Sequence, residues 1–458
     1  MAVTKLTALD QVMPHIYTRL ILCFPLDSDT EASQAITFLQ RGLALTVLEV
    51  PNLKATVVAG TRNGEVAIKQ QDGSPGTPLL HIKSFLTTGT KTMKSYDDLR
   101  SLGMPTSELD GDSLAPLGPF RDPPAPVFAA QANLIQGGLL LCVCFHHSVL
   151  DGPGIDIILR RWSENCHAVQ EPGSCFELLP ERNTGTAVIA QGGRQSMTLK
   201  SLNGYDVVTT TPPLPIGKSE FPEMISAIFK IEIETLQKLK AEVNTFLSQQ
   251  SDPGQWVSSN DVLCAILWRA VTNARLSCSP ESDMANLSRL GMAVDGRSKL
   301  NPAVTEPYLG NINICAAATA ELSSLTSTSI ESLVQIALAI RQSVTSVNDE
   351  FIRHLIHVVD GIPDLTFIAP CFKVSGMNFA ITTWRDMGIC DLDWGMGIGG
   401  GKVEFTRVPT PLFDGICIVL PKRSRDAAYE VTLGLRTECM ASLKEDEEFR
   451  QIVSFNSA

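Results

Sequence analysis

The chain has 458 residues, 44% of them hydrophobic and 19% charged, which excludes a disordered chain and leaves room for two domains of roughly 200 residues each. A formal net charge of -12, with no cluster of Lys and Arg, gives no footprint for nucleic acid. No apolar run reaches the roughly 18 to 20 residues of a membrane span, so neither partner is expected.

The opening "MAVTKLTALDQVMPHIYTRLILCFPL" is interrupted by Asp10, His15 and Arg19 and lacks the pattern of a signal peptide, which predicts a cytoplasmic protein. "TRLILCFPL" reads as a strand, and "EASQAITFLQRGLALTVLEV" carries apolar residues at helical spacing. Twelve cysteines are scattered through the chain, several inside apolar runs (Cys142, Cys144, Cys264, Cys417), and no Cys-x-x-Cys pair exists. Reduced thiols are expected, and no metal site.

Residues 139 to 145, within "GGLLLCVCF", form a continuous apolar run, as in a strand buried on both faces. His146 and His147 close it. Asp151 and Gly152 follow, and Ile155, Ile158, Leu159 and Trp162 recur at helical spacing, with Gly152, Pro153 and Gly154 breaking the chain between strand and helix. Gly152 is read as supplying a conformation that a side chain would forbid. A histidine on such a turn suits a general base, because its ordinary pKa lies near neutrality. Asp151 either orients the imidazole, as in a triad, or turns to a cation and holds the loop. A pair of structural histidines satisfies the same spacing, and a zinc reading lacks a third ligand.

From about 171 to 218 the chain is irregular and rich in Pro, Gly, Ser and Thr, which marks a domain crossover. Beyond it, "FKIEIETLQKLKAEVNTF" reads as strand then helix, and "SSNDVLCAILWRAVTNAR" as a helix capped by Ser259 or Asn260. "ESLVQIALAIRQSVTSVNDEFIRHLIHVV" reads as one further helical stretch, in which His354 and His357 fit an amphipathic helix better than a metal pair. "GICIVLPKR" and "YEVTLGL" read as buried strands. His15, His81 and His167 have no partner that the sequence identifies.

Near the end stands "NFAITTWRDMGICDLDWGMGIGGGKVEF". Gly395, Gly397 and Gly400 satisfy G-x-G-x-x-G, but the run leads into a strand and loop rather than a helix, so a dinucleotide site is not expected. Val403 after Lys402 excludes a Walker loop.

The string His146-His147-x-x-x-Asp151-Gly152 resembles the signature of the CoA-dependent acyltransferase superfamily. Asp393-Trp394-Gly395-Met396-Gly397 resembles the Asp-Phe-Gly-Trp-Gly motif of its BAHD branch, with the aromatic moved to second place and Met in fourth. Thr382-Thr383-Trp384 is similar to the element that precedes that motif, and "AVDGRSKLNP" followed by "YLGNINI" is similar to the family's Val-Asp-x-Arg stretch and Gly-Asn. The similarity runs along nearly the whole chain, in order, with a fungal O-acetyltransferase flavour.

The resemblance implies an α/β (α+β) fold of two chloramphenicol-acetyltransferase-like domains, each a mixed sheet with flanking helices, meeting at a channel that holds the active site. Residues 1–185 and 219–458 would be the domains and 186–218 the crossover loop. It implies that His147 is the base, with Asp151 beside it in a mainly structural role, and that His146 and Gly152 complete the motif. Thr383 and Trp384 would stand near the oxyanion, Arg297 would pair with Asp393, and Gly395 and Gly397 would shape the glycine loop. Arg385 and Lys402 are candidates for CoA phosphates. The implied activity is transfer of an acyl group, acetyl above all, from acyl-CoA to a hydroxyl of a small secondary metabolite by a monomer, with no bound cofactor. Alternatives are a condensation-type enzyme fed by a carrier protein, and a repurposed or inactive protein of the same fold.

Overall fold

The computed structural model describes residues 3–70, 79–86, 93–171, 202–207, 223–250, 254–278, 286–371, 376–423 and 426–457. The expected crossover loop lies outside these residues except for 202–207, and so does the expected domain edge at 185.

A five-stranded mixed sheet dominates the first half, in the order Phe405–Arg407, Tyr17–Pro25, Gly138–His146, Phe128–Ile135, Leu80–Ser84. Its central strand, Gly138–His146, is buried at every residue, as a run of Leu, Val and Cys requires. Helices Asp29–Glu49 and Gly152–Ala168 pack against each other over it. The second half holds a seven-stranded mixed sheet in the order Asn313–Glu321, Leu287–Asp295, Phe379–Thr383, Ile416–Val419, Ala428–Arg436, Met224–Glu232, Ser454–Ser457. Helices Ile233–Ser248, Ser259–Cys278 and Ile330–Ser346 pack together beside it.

The two cores exchange segments. Strand Phe405–Arg407 pairs antiparallel with Tyr17–Pro25, and Ile389, Leu392, Trp394, Ile398 and Val403 enter the first core. In the other direction, Ala8 and Leu9 of the short helix Ala8–Gln11 enter the second. The interlock is sealed by charge: Glu404 accepts from Tyr96 Oη at 2.9 Å and from Arg100 Nε at 3.0 Å and Nη2 at 2.9 Å, while fully buried Arg407 pairs with Glu430 at 2.9 Å.

Three local expectations change. The stretch 331–359 is two helices, Ile330–Ser346 and Asp349–Gly361, because Asn348 caps the second by accepting from Phe351 N–H at 2.9 Å. Helix Ser259–Cys278 is capped by Ser258, whose hydroxyl accepts from Asp261 N–H at 3.2 Å while the Asp261 carboxylate accepts from Ser258 N–H at 2.7 Å. Gly152 and Pro153 open the helix rather than break the chain before it, since the first turn has no need of a proline N–H. Among the described residues no helix is long and apolar enough to cross a membrane.

Candidate active site

The histidine strand ends where the two halves meet. His146 N–H donates to Val127 O at 2.9 Å and His147 N–H to Ile16 O at 2.9 Å, while Val149 and Leu150 N–H return to His146 O at 2.9 and 3.2 Å. These four main-chain bonds fix the strand end and the start of the turn without the side chains. His146 is fully buried with neither ring nitrogen hydrogen-bonded, its ring edge-on to Tyr17 at 5.3 Å, and burial above all lowers its pKa to about 4. It is a neutral packing group.

His147 is half-buried. Its Nδ1 is buried, whereas Nε2 is the ring nitrogen left accessible. Burial lowers its pKa, and its own carbonyl, the charge of Asp151 and the amide of Asn311 oppose that shift. A neutral ring with an open Nε2 is what a general base needs.

Asp151, 1% exposed, is occupied elsewhere. It caps helix Gly152–Ala168 by accepting from Gly154 N–H at 3.0 Å, takes both Arg297 Nη groups at 2.9 Å, and accepts from Ile312 N–H at 2.9 Å. Of the two readings left open by the spacing, the cation holds the carboxylate.

Arg297 also reaches Asp295 at 3.0 Å and the carbonyls of Tyr308 and Gly310 at 3.1 Å. The expected pair between Arg297 and Asp393 does not form. Asp393 lies at the far end of the same helix, accepting from Gly395 N–H at 2.9 Å and meeting His167 Nδ1 at 3.2 Å. The guanidinium fork fills its donors at the helix start, within reach of a buried carboxylate and two carbonyls.

Gly152 takes no positive φ, so it supplies no conformation closed to a side chain; the glycine requirement at this turn is the close approach at Gly154. A Cβ on Gly152 would meet nothing closer than Met387 Sδ at 3.7 Å, while one on Gly154 would stand 2.5 Å from Leu309 O. In the glycine loop Gly395 adopts φ +80° and Gly397 lies against Phe38. Gln170 holds the loop, donating to Trp394 O at 2.7 Å and accepting from Gly397 N–H at 2.8 Å. Trp394 is fully buried, edge-on to Phe24 and Trp162 at 5.6 Å each, and Met396 is exposed.

Thr383 is exposed at the end of its strand and its Oγ1 accepts from Arg385 N–H at 3.4 Å. Trp384 is half-buried, packing against Val408, Ile418 and Leu420 as well as the first core. Arg385 stacks over the Tyr429 ring at 3.6 Å, and Lys402 Nζ donates to Asp391 O at 2.8 Å.

Asp10 and Asn311 were given no role from the sequence. Asp10, 2% exposed, accepts from both the main-chain and side-chain N–H of fully buried Asn311. The available signal was an acid directly after the apolar pair Ala8-Leu9 and a Gly-Asn pair before a strand.

The sequence profile of the Transferase family matches residues 3–450. Eremophilane O-acetyltransferase prx11 of Penicillium rubens is 29% identical, over 98% of this chain and 98% of its own. Among solved structures, TRI101 of F. sporotrichioides, complexed with coenzyme A and T-2, superposes with a TM-score of 0.81 at 22% identity, covering 100% of both chains. Vinorine synthase superposes at 0.63 and 17% identity, over 99% of this chain and 94% of its own. With motifs, fold and profile in agreement along its length, the chain belongs to the Transferase family, the BAHD-type CoA-dependent acyltransferases.

Proposed function

We propose that the enzyme acetylates a hydroxyl of a terpenoid or polyketide secondary metabolite from acetyl-CoA, with His147 as general base. The observation that carries this reading is the contrast inside one motif: His146 is sealed, Asp151 is saturated, and His147 alone keeps an accessible ring nitrogen. Likeness to the eremophilane O-acetyltransferase supports the acceptor class. His147 Nε2 takes the proton of the acceptor hydroxyl as its oxygen attacks the thioester carbonyl. The C–S bond then breaks, and the imidazolium returns the proton to the CoA thiolate, so no acyl-enzyme forms. Thr383 and Trp384 are assigned to the oxyanion, Thr383 because its hydroxyl oxygen accepts from Arg385 N–H and leaves its own proton to donate. Asp151 acts through the loop it holds. The enzyme works as a cytosolic monomer in this reading, on the strength of its composition and its resemblance.

The test is incubation with acetyl-CoA and a panel of terpenoid and polyketide alcohols, following thiol release and acetylated product. Release should depend on the acceptor and fall about 10³-fold in His147→Ala with the fold retained by circular dichroism. Unchanged activity in that variant sinks the base assignment. Donation by a pantetheinylated carrier, with none by CoA, moves the enzyme to the condensation type.

A further inference from the structure

With Asp151 committed to Arg297, no carboxylate of the motif orients the imidazole it displays. A neutral imidazole works as a base only from the nitrogen that carries no proton, so something must select the tautomer.

Among the described residues, five buried polar atoms at or beside the turn have no hydrogen-bond partner: both ring nitrogens of His146, His147 Nδ1, Ser148 Oγ and Asn311 Oδ1. The last has a structural cause. Asn311 is 0% exposed, and its Nδ2 donates to Asp10 Oδ1 at 2.8 Å while its main-chain N–H donates to the same oxygen at 2.9 Å. Asp10 is itself fixed, because its second oxygen accepts from Thr7 N–H at 2.8 Å and Thr7 Oγ1 at 2.7 Å in the capping box of helix Ala8–Gln11. The amide therefore has one orientation. Reversing it would set Oδ1 against a buried carboxylate. Oδ1 is left as the atom offered to its surroundings, one residue before Ile312, whose N–H donates to Asp151 Oδ2 at 2.9 Å, and the Asn311 side chain acts on the His147 ring to favour its charged form.

We propose that Asn311 is a positioning residue for His147: held by Asp10, its Oδ1 accepts from Nδ1–H and so leaves Nε2 unprotonated toward the acceptor hydroxyl. The inference rests on His147 being the base. The carbonyl of His147 also favours the charged ring, so the amide is a second acceptor acting in that sense. Bonds of this kind are long in an empty site and tighten when substrate binds. The arrangement divides the work of a triad acid: Asp151 secures the loop, and a carboxylate on the exchanged N-terminal helix orients the base through an amide. Around the ring stand His146 with His15 on the strand side, Asp151 with Arg297 at the helix start, and Asp10 with Tyr308 behind the amide.

The first measurement needs no substitution at Asn311. In ¹⁵N-histidine-labelled protein, with the His147 signals identified by their loss in His147→Ala, the neutral ring should be protonated at Nδ1; protonation at Nε2 overturns the inference. The second uses Asn311→Leu, which removes the acceptor and keeps the site dry. Here kcat should fall roughly 10²-fold with KM for acetyl-CoA unchanged, and the acid limb of the kcat/KM profile should move to lower pH because the imidazolium loses a stabilising acceptor. An unchanged profile and tautomer in that variant would also overturn it. A fully active His147→Ala enzyme would defeat the general-base reading instead, and leave an Nδ1–H signal that depends on Asn311 standing.

Discussion

Asp151 and Asp393 are both motif carboxylates, and they lie at opposite ends of the same helix, Gly152–Ala168. At the start, Asp151 is buried, accepts four N–H groups and faces the positive end of the helix. At the end, the Asp393 side chain is 54% exposed and meets His167 of the last turn. The two positions teach how differently an aspartate acts in a buried and in an open setting. The buried acid holds the domains against each other beside His147. The open one trims a glycine loop whose shape is held mainly by Gln170 and by Trp394 in the core.

The sharpest way to break this contrast is Asp151→Ala. It leaves the Arg297 guanidinium, with a side chain only 12% exposed, without its carboxylate, and removing one partner of a buried pair costs about 3–5 kcal/mol. Urea unfolding should show that loss, and activity should fall with the fold even though Asp151 is turned away from the imidazole. A stable Asp151→Ala protein would mean that Asp295 and the two carbonyls suffice for Arg297.

His146 gives the next effect, and its sign follows from burial. An unfolded histidine titrates near 6.5, while in the fold His146 titrates at about 4. Below pH 6.5 the unfolded chain binds a proton that the folded one refuses, so stability is lost as the pH falls to 4 and levels off beneath it, by about 3 kcal/mol in all. His146→Phe should flatten that part of the stability curve. The difference between the two curves, read by denaturant unfolding from pH 7 to 4, cancels what the other acids contribute.

Local chemistry made much of this legible in the sequence. The buried strand was written in an unbroken apolar run, its polar end in two histidines, and the following helix in Ile155, Ile158, Leu159 and Trp162. Long-range partners were not. Nothing in residues 405 to 407 says that they pair with the strand at Tyr17, because a three-residue strand carries no address. Arg297 looked like a partner for Asp393 only by resemblance; which acid lies within its reach depends on how two sheets meet. The break at Val347 was hidden because buried Val347 continues the apolar pattern while Asn348 alone carries the cap. Asp10 and Asn311 were missed for a related reason: a buried acid and amide gain meaning only when 301 residues of chain have folded them together.

The smallest effect belongs to the open end of the helix, where Asp393→Ala should cost less than about 1 kcal/mol, as exposed ion pairs do. Gln170→Ala, removed from the same loop, should cost more, about 1–2 kcal/mol, because it strips the bonds to Trp394 O and Gly397 N–H from a part-buried site. Thermal or urea unfolding of the two variants side by side checks the ranking. It holds only if the glycine loop is fixed by its amide clasp and its buried indole; if Asp393→Ala proves the more damaging, the loop depends on its carboxylate after all, and the contrast between the two ends of the helix disappears.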